Sequence, residues 1–229
     1  ATTQNPDFNK KTPNLWLRDE SMDMSEFSVG AWGNDWIVLN VQQSGFYRVS
    51  YSANLWMTIR DGLKVNPDVI HLTNRRVLQE ELNIGIAISN RLLASTVLEF
   101  LTYLSEEENY LVWNDANVNF ALFNRTLFGT EMYANYMNFI AQLTRSHLTR
   151  IGYEASSSDE AIEITQLRSR VKTLNCYALD EVCLQHELDK LIKYYENEAE
   201  NDIPEFCSAF RLANQTLFDH YVNELTTNV

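Results

Sequence analysis

The sequence predicts a mainly α fold: an irregular stack of antiparallel helices of the HEAT or armadillo kind, preceded by a short β segment. Three observations lead there. Only 7 Gly and 4 Pro occur in 229 residues, too few for the many turns of an all-β chain. Apolar residues recur at helical spacing from about residue 53 onward. One run before that point, Trp36 to Tyr51, follows period two instead.

Residues 1–30 carry no clear periodicity, and Pro6, Pro13 and Gly30 suggest an extended lead-in with Leu15-Trp16-Leu17 as a possible short strand. In the next run Ile37, Leu39 and Val41 alternate with Val38 and Asn40, and Gln42 to Gly45 supply a turn. Tyr47, Val49 and Tyr51 then give a second strand one apolar face. Two strands alone are marginal in water, so the ribbon needs cover from the lead-in, from the first helix through Leu55, Trp56 and Ile59, or from sequence upstream.

After Tyr51 the period changes. Leu55, Ile59 and Leu63 fall at i, i+4 and i+8, which predicts a helix from Ala53 to the stop at Asn66-Pro67. Val69, Leu72, Val77, Leu78 and Leu82 continue the stripe. Further amphipathic stretches follow at 92–104, 106–128, 131–150, 159–175, 180–198 and 204–225. Capping boxes are read at Ser105-x-x-Glu108 and Ser157-x-x-Glu160. Tyr133, Tyr136, Met137, Ile140 and Leu143 make a clear helical stripe. Short connectors imply antiparallel neighbours, and without a sharp internal repeat the stack is degenerate.

Lys plus Arg is 18 and Asp plus Glu is 31, a net charge of −13 with no basic stripe. Such a surface repels phosphate backbones and anionic membranes, so nucleic acid is not expected as a partner. No run of 18 apolar residues is present, so no transmembrane segment is expected. Ala1 to Pro6 does not read as a signal peptide. The sequons at Asn124 and Asn214 are compatible with glycosylation in a secreted setting.

Chemistry is sparse. A helical zinc peptidase site needs His-Glu-x-x-His, with both imidazoles on one helix face. The only His-Glu pair is His186-Glu187, and four residues past His186 stands Lys190. The remaining histidines, at 71, 147 and 220, are dispersed. No G-x-S-x-G, P-loop or G-x-G-x-x-G is present, and the carboxylates of 106–108 and 196–200 read as solvated helix ends. We expect no catalytic and no metal-binding residues. The cysteines leave alternatives open: Cys176 and Cys183 can bridge if a turn lies between them, all three with Cys207 can be reduced thiols, or Cys176, Cys183 and His186 can begin a zinc site.

Several segments, taken in order, resemble one family. Trp36-Ile37-Val38-Leu39-Asn40 with Gly45, Tyr47, Arg48, Val49 and Tyr51 looks like the junction after the catalytic domain in zinc aminopeptidases of the aminopeptidase N type. Thr73-Asn74-Arg75 through Gly85 resembles a second segment of that family, although Glu81 and Ile86 fit its acidic and Leu-Ala positions loosely. Tyr103-Leu104, Glu107, Tyr110 and Trp113 resemble a third.

The resemblance implies that residues 1–52 are the end of a β-sandwich domain, a small partial β-sandwich segment, and residues 53–229 a C-terminal helical lid domain. It implies a Cys176–Cys183 disulfide, with Cys207 resembling the first cysteine of a second bridge. It further implies a parent enzyme that uses zinc to release N-terminal residues from peptides, while this fragment holds no cofactor and is inactive alone. The implied partners are the catalytic domain of the same chain and peptide substrates. The insect members look closest: ectoenzymes at the extracellular face of the plasma membrane, lipid-anchored, or secreted. The competing expectations are a stand-alone helical-repeat binding module and a toxin-receptor fragment.

Overall fold

The computed structural model describes residues 1–13, 16, 18–21, 35–87, 92–197 and 207–227. Among these, helices dominate: α1 (Ala53–Val65), α2 (Leu72–Ala87), α3 (Ala94–Leu101), α4 (Tyr110–Leu127), α5 (Tyr133–Ile151), α6 (Ile162–Tyr177), α7 (Glu181–Asn197) and α8 (Gln215–Thr227). The mainly α stack is therefore present. The chain divides into two compact units, Ala1–Phe128 and Gly129–Val229.

In the first unit α1 begins where the Ser52 side chain accepts the Leu55 N–H, and it buries Trp56, Ile59 and Leu63. Asn66 then caps a single 3-10 turn over Pro67–Val69. The helix α1 packs on α3, and α2 packs on α4. An edge-to-face series of Tyr51, Trp56, Phe100 and Tyr103, with centroids 4.9–5.2 Å apart, threads this core.

The predicted hairpin over residues 36–51 is not formed. Among the described residues no strand occurs, and only isolated bridges join Thr2 to Asn5 and to Ile37. Asn40 explains the difference. It sits at positive φ, and its side chain accepts the Gly45 N–H while donating to the Gly45 and Tyr47 carbonyls. Those bonds close the 40–47 loop on one side chain instead of a cross-strand ladder, with a 3-10 turn at Val41–Gln43. Trp36, Ile37 and Val38 are buried nonetheless. Trp36 lies over Gly62 of α1, where any Cβ would meet its indole at 2.7 Å, and stacks near Phe8. Cover thus comes from α1 and the N-terminal segment. Trp16 is exposed, and Leu15 and Leu17 lie outside the described residues.

In the second unit α5 packs on α6 and α6 on α7, while α7 meets a 3-10 turn at Ala209–Arg211. The Tyr136, Met137, Ile140 and Leu143 stripe is buried. Neither predicted capping box forms. Asn109, not Ser105, caps α4 by accepting the Leu111 N–H, because Ser105 is occupied in a 3-10 turn and donates to the Thr102 carbonyl. Helix α6 starts at Ile162, past Ser157, because Glu160 is drawn to Arg168. The predicted 204–225 helix is split: α8 starts at Gln215 with Asn214 accepting the Leu217 N–H, and residues 204–206 lie outside the described set.

Candidate functional site

The two helical segments singled out for their resemblance meet in space. Arg75 of α2 is buried and donates to the Pro67 carbonyl (2.9 Å), the Ile70 carbonyl (2.8 Å), Asp68 Oδ1 (3.1 Å) and Glu107 Oε1 (3.3 Å). Its Nε lies 2.8 Å from Glu107 Oε2, a charge contact without hydrogen-bond alignment. Glu107 also accepts the Asn109 N–H at 2.9 Å, and its carbonyl accepts the Trp113 indole N–H at 2.7 Å. Burial pushes the Glu107 carboxyl above its ordinary value, and Arg75 offsets only part of that.

Neighbouring side chains extend this polar core. Gln79 donates to the Tyr103 hydroxyl at 3.0 Å, and Asn119 of α4 donates to the Gln79 carbonyl at 3.0 Å. Burial pushes the Tyr103 phenol far above its usual range. Asn74 accepts the Gln42 N–H at 2.8 Å and donates to the Asn40 carbonyl at 3.1 Å, so α2 holds the 40–42 loop. These are positioning contacts. They satisfy buried donors and acceptors that would otherwise cost stability.

A groove of about 450 Å³ runs along α2 and α4, lined in part by Arg76, Glu80, Asn83, Asp115 and Val118. Arg76 donates to Asp115 Oδ2 at 2.7 Å, so its principal charges are already engaged. No histidine or cysteine is among the described residues that line it. The sequence reading missed this ion pair because its members lie 39 positions apart; an arginine repeated on one helix beside Arg75 was the only visible signal.

In the second unit Cys176 and Cys183 form a disulfide, with Cα atoms 5.1 Å apart. Both sulfurs are thereby removed as zinc ligands for His186, and Cys207 is exposed and outside that bond. The structure does not gather the histidines. His71 accepts the Thr73 N–H at the start of α2, and His147 is buried beside Arg150. His186 stacks on Tyr153, and His220 meets Tyr195 edge-on. Among the described residues no group of three or more His, Cys, Asp or Glu is arranged to hold a metal. No described helix is long and apolar enough to cross a membrane. Asn214 is exposed at the start of α8, whereas Asn124 is half-buried in the last turn of α4.

The family model for the ERAP1-like C-terminal domain matches residues 36–211. Aminopeptidase N of Plutella xylostella is 27% identical over 209 residues, covering 89% of this chain and 22% of the relative. Aminopeptidase Q of Homo sapiens is 27% identical over 204 residues, covering 84% and 20%. The thyrotropin-releasing hormone-degrading ectoenzyme of Rattus norvegicus is 26% identical over 174 residues, covering 74% and 16%. The chain spans about a fifth of the length of these curated relatives. The matched span takes in both the buried Arg75–Glu107 core and the disulfide, and on that match the chain belongs to the ERAP1-like C-terminal domain family, the C-terminal region of aminopeptidases.

Proposed function

We propose that this chain is the lid portion of a zinc aminopeptidase that releases N-terminal residues from peptides. The observation that carries the reading is the match of residues 36–211 to a C-terminal domain family whose relatives here are named as aminopeptidases. On this reading residues 1–52 correspond to the end of the domain that precedes the helices in the parent, although among the described residues they form isolated bridges and no strand. Residues 53–229 correspond to the helical domain that limits access to the catalytic domain. The parent acts at the extracellular face of the plasma membrane or as a secreted protein. The disulfide supports that setting, since such bonds persist in oxidising compartments.

The described residues do not fit a zinc centre: both candidate thiolates are consumed in the disulfide, and the histidines are dispersed. On the proposed reading zinc and the reacting groups belong to the catalytic domain of the parent, and this region contributes exclusion and shape. The test is a ladder of peptides of increasing length given to the full-length parent. Turnover that falls off beyond short peptides is expected. Equal turnover at every length would remove the lid role.

A further inference from the structure

The fold treats the two Asn-x-Thr sequences of the chain differently. Asn124-Arg125-Thr126 lies inside α4, short of its end at Leu127. There Asn124 is half-buried, its carbonyl accepts the Phe128 N–H at 3.0 Å, and the Thr126 hydroxyl donates to the Leu122 carbonyl at 2.9 Å. The hydroxyl that a sequon must offer is thus already held in the helix. Asn214-Gln215-Thr216 lies at a helix start instead, and all three residues are exposed.

The two ends of the Asn214 amide have separate tasks. Its Oδ1 accepts the Leu217 N–H at 3.0 Å and caps α8, while its backbone carbonyl accepts the Phe218 N–H at 3.1 Å. Its Nδ2 has no hydrogen-bond partner among the described residues. A substituent on that nitrogen leaves the amide oxygen an acceptor, so the cap and a bulky group on Nδ2 are compatible in one folded state. Gln215 and Thr216 stand in the first turn of α8, where backbone N–H groups lack intrahelical partners and few bonds oppose local opening. Presenting Asn124 to an enzyme requires the last turn of an 18-residue helix to unwind.

We propose that Asn214 is an N-glycosylated residue of this chain and that Asn124 stays bare. The donor class is an oligosaccharide carried on a lipid diphosphate. The Nδ2–carbon bond to the first sugar forms, the sugar–oxygen bond to the diphosphate breaks, the lipid diphosphate leaves with that electron pair, and one amide proton is given up. The proposal rests on the extracellular setting of the proposed function, which the Cys176–Cys183 disulfide supports independently of the sequons.

The test sends the full chain through the secretory pathway of eukaryotic cells behind a cleavable leader, so that the site is read whatever the natural compartment of the parent. Peptide-N-glycosidase in heavy-oxygen water converts each glycosylated Asn to a labelled Asp, and mass spectrometry of the peptides reads both positions. Occupancy at Asn214 should exceed that at Asn124 by about tenfold or more, since unwinding the end of α4 breaks more backbone bonds than fraying the first turn of α8. Thr216→Ala should abolish the label at 214 while keeping the Asn214 cap. If the chain is retained in the cells, the same digestion of the membrane-enclosed fraction reads both sites. An unlabelled Asn214 in disulfide-bonded chain, or equal labelling of Asn124, would overturn the proposal. Location of the natural parent in the cytosol would overturn the extracellular reading instead, with the label at 214 unchanged.

Discussion

Replacing Arg75 with Met removes the donor that serves two carbonyls and two carboxylates and leaves Glu107 buried without its partner. Breaking such a pair from one side costs about 3–5 kcal/mol. A loss of unfolding free energy of that size in a urea titration is the expected outcome, and Arg75→Met with Glu107→Gln should recover part of it. A double variant as unstable as the single one would mean that the lost carbonyl contacts, not the stranded charge, dominate. Leu179 raises the opposite case. It ends α6 at positive φ, with its N–H on the Cys176 carbonyl, a position that suits Gly. Leu179→Gly should gain about 0.5 kcal/mol despite the loss of a half-exposed side chain, read as a higher melting temperature. None of this was legible from composition: Asn74, Arg75 and Glu107 were visible only as fragments of a family pattern, and their meeting depends on a fold 32 residues wide in sequence.

The α5–α6 connection is held by Glu160, whose carboxyl accepts from Arg168, Thr165 and the Ser156 N–H. Arg168 above all lowers it from 4.5 to about 2. A carboxylate depressed in the folded state adds stability that is complete above its free value and is lost as pH falls through the folded one. This anchor should therefore weaken between about pH 4.5 and pH 2, and Glu160→Gln should flatten the acid limb of the stability profile there. An unchanged limb would contradict the assignment. At the other end of α6, the disulfide closes a short loop, and Cys176→Ser with Cys183→Ser should cost about 2–3 kcal/mol in the chain-entropy view. The same elements show why capping boxes were misleading. Ser157-x-x-Glu160 is a local pattern, but a glutamate offered an arginine eight residues away takes the ion pair, and α6 starts later. A local signal loses where a stronger tertiary contact competes for the same side chain.

Across the molecule, helices from residue 53 onward were legible because each presents one apolar stripe to a neighbour, and that stripe survives any detail of the loops. The alternating run from Trp36 was read as a ribbon because burial and strand pairing leave the same trace in sequence. In the structure Trp36 and Val38 are buried without a ladder, and Asn40 supplies the bonds that strands would have shared. At the candidate site, the Cys176–Cys183 bridge that the family resemblance implied is formed, while the spacing of the cysteines alone had left reduced thiols and a zinc site open. On the proposed function, this region shapes access to an aminopeptidase whose reaction is carried out elsewhere in the parent. The most direct measurement compares hydrolysis of an aminoacyl anilide and zinc content after dialysis in this chain and in the full-length parent. Turnover and one zinc are expected in the parent, and neither in the chain. Stoichiometric zinc with turnover in the chain alone would contradict it.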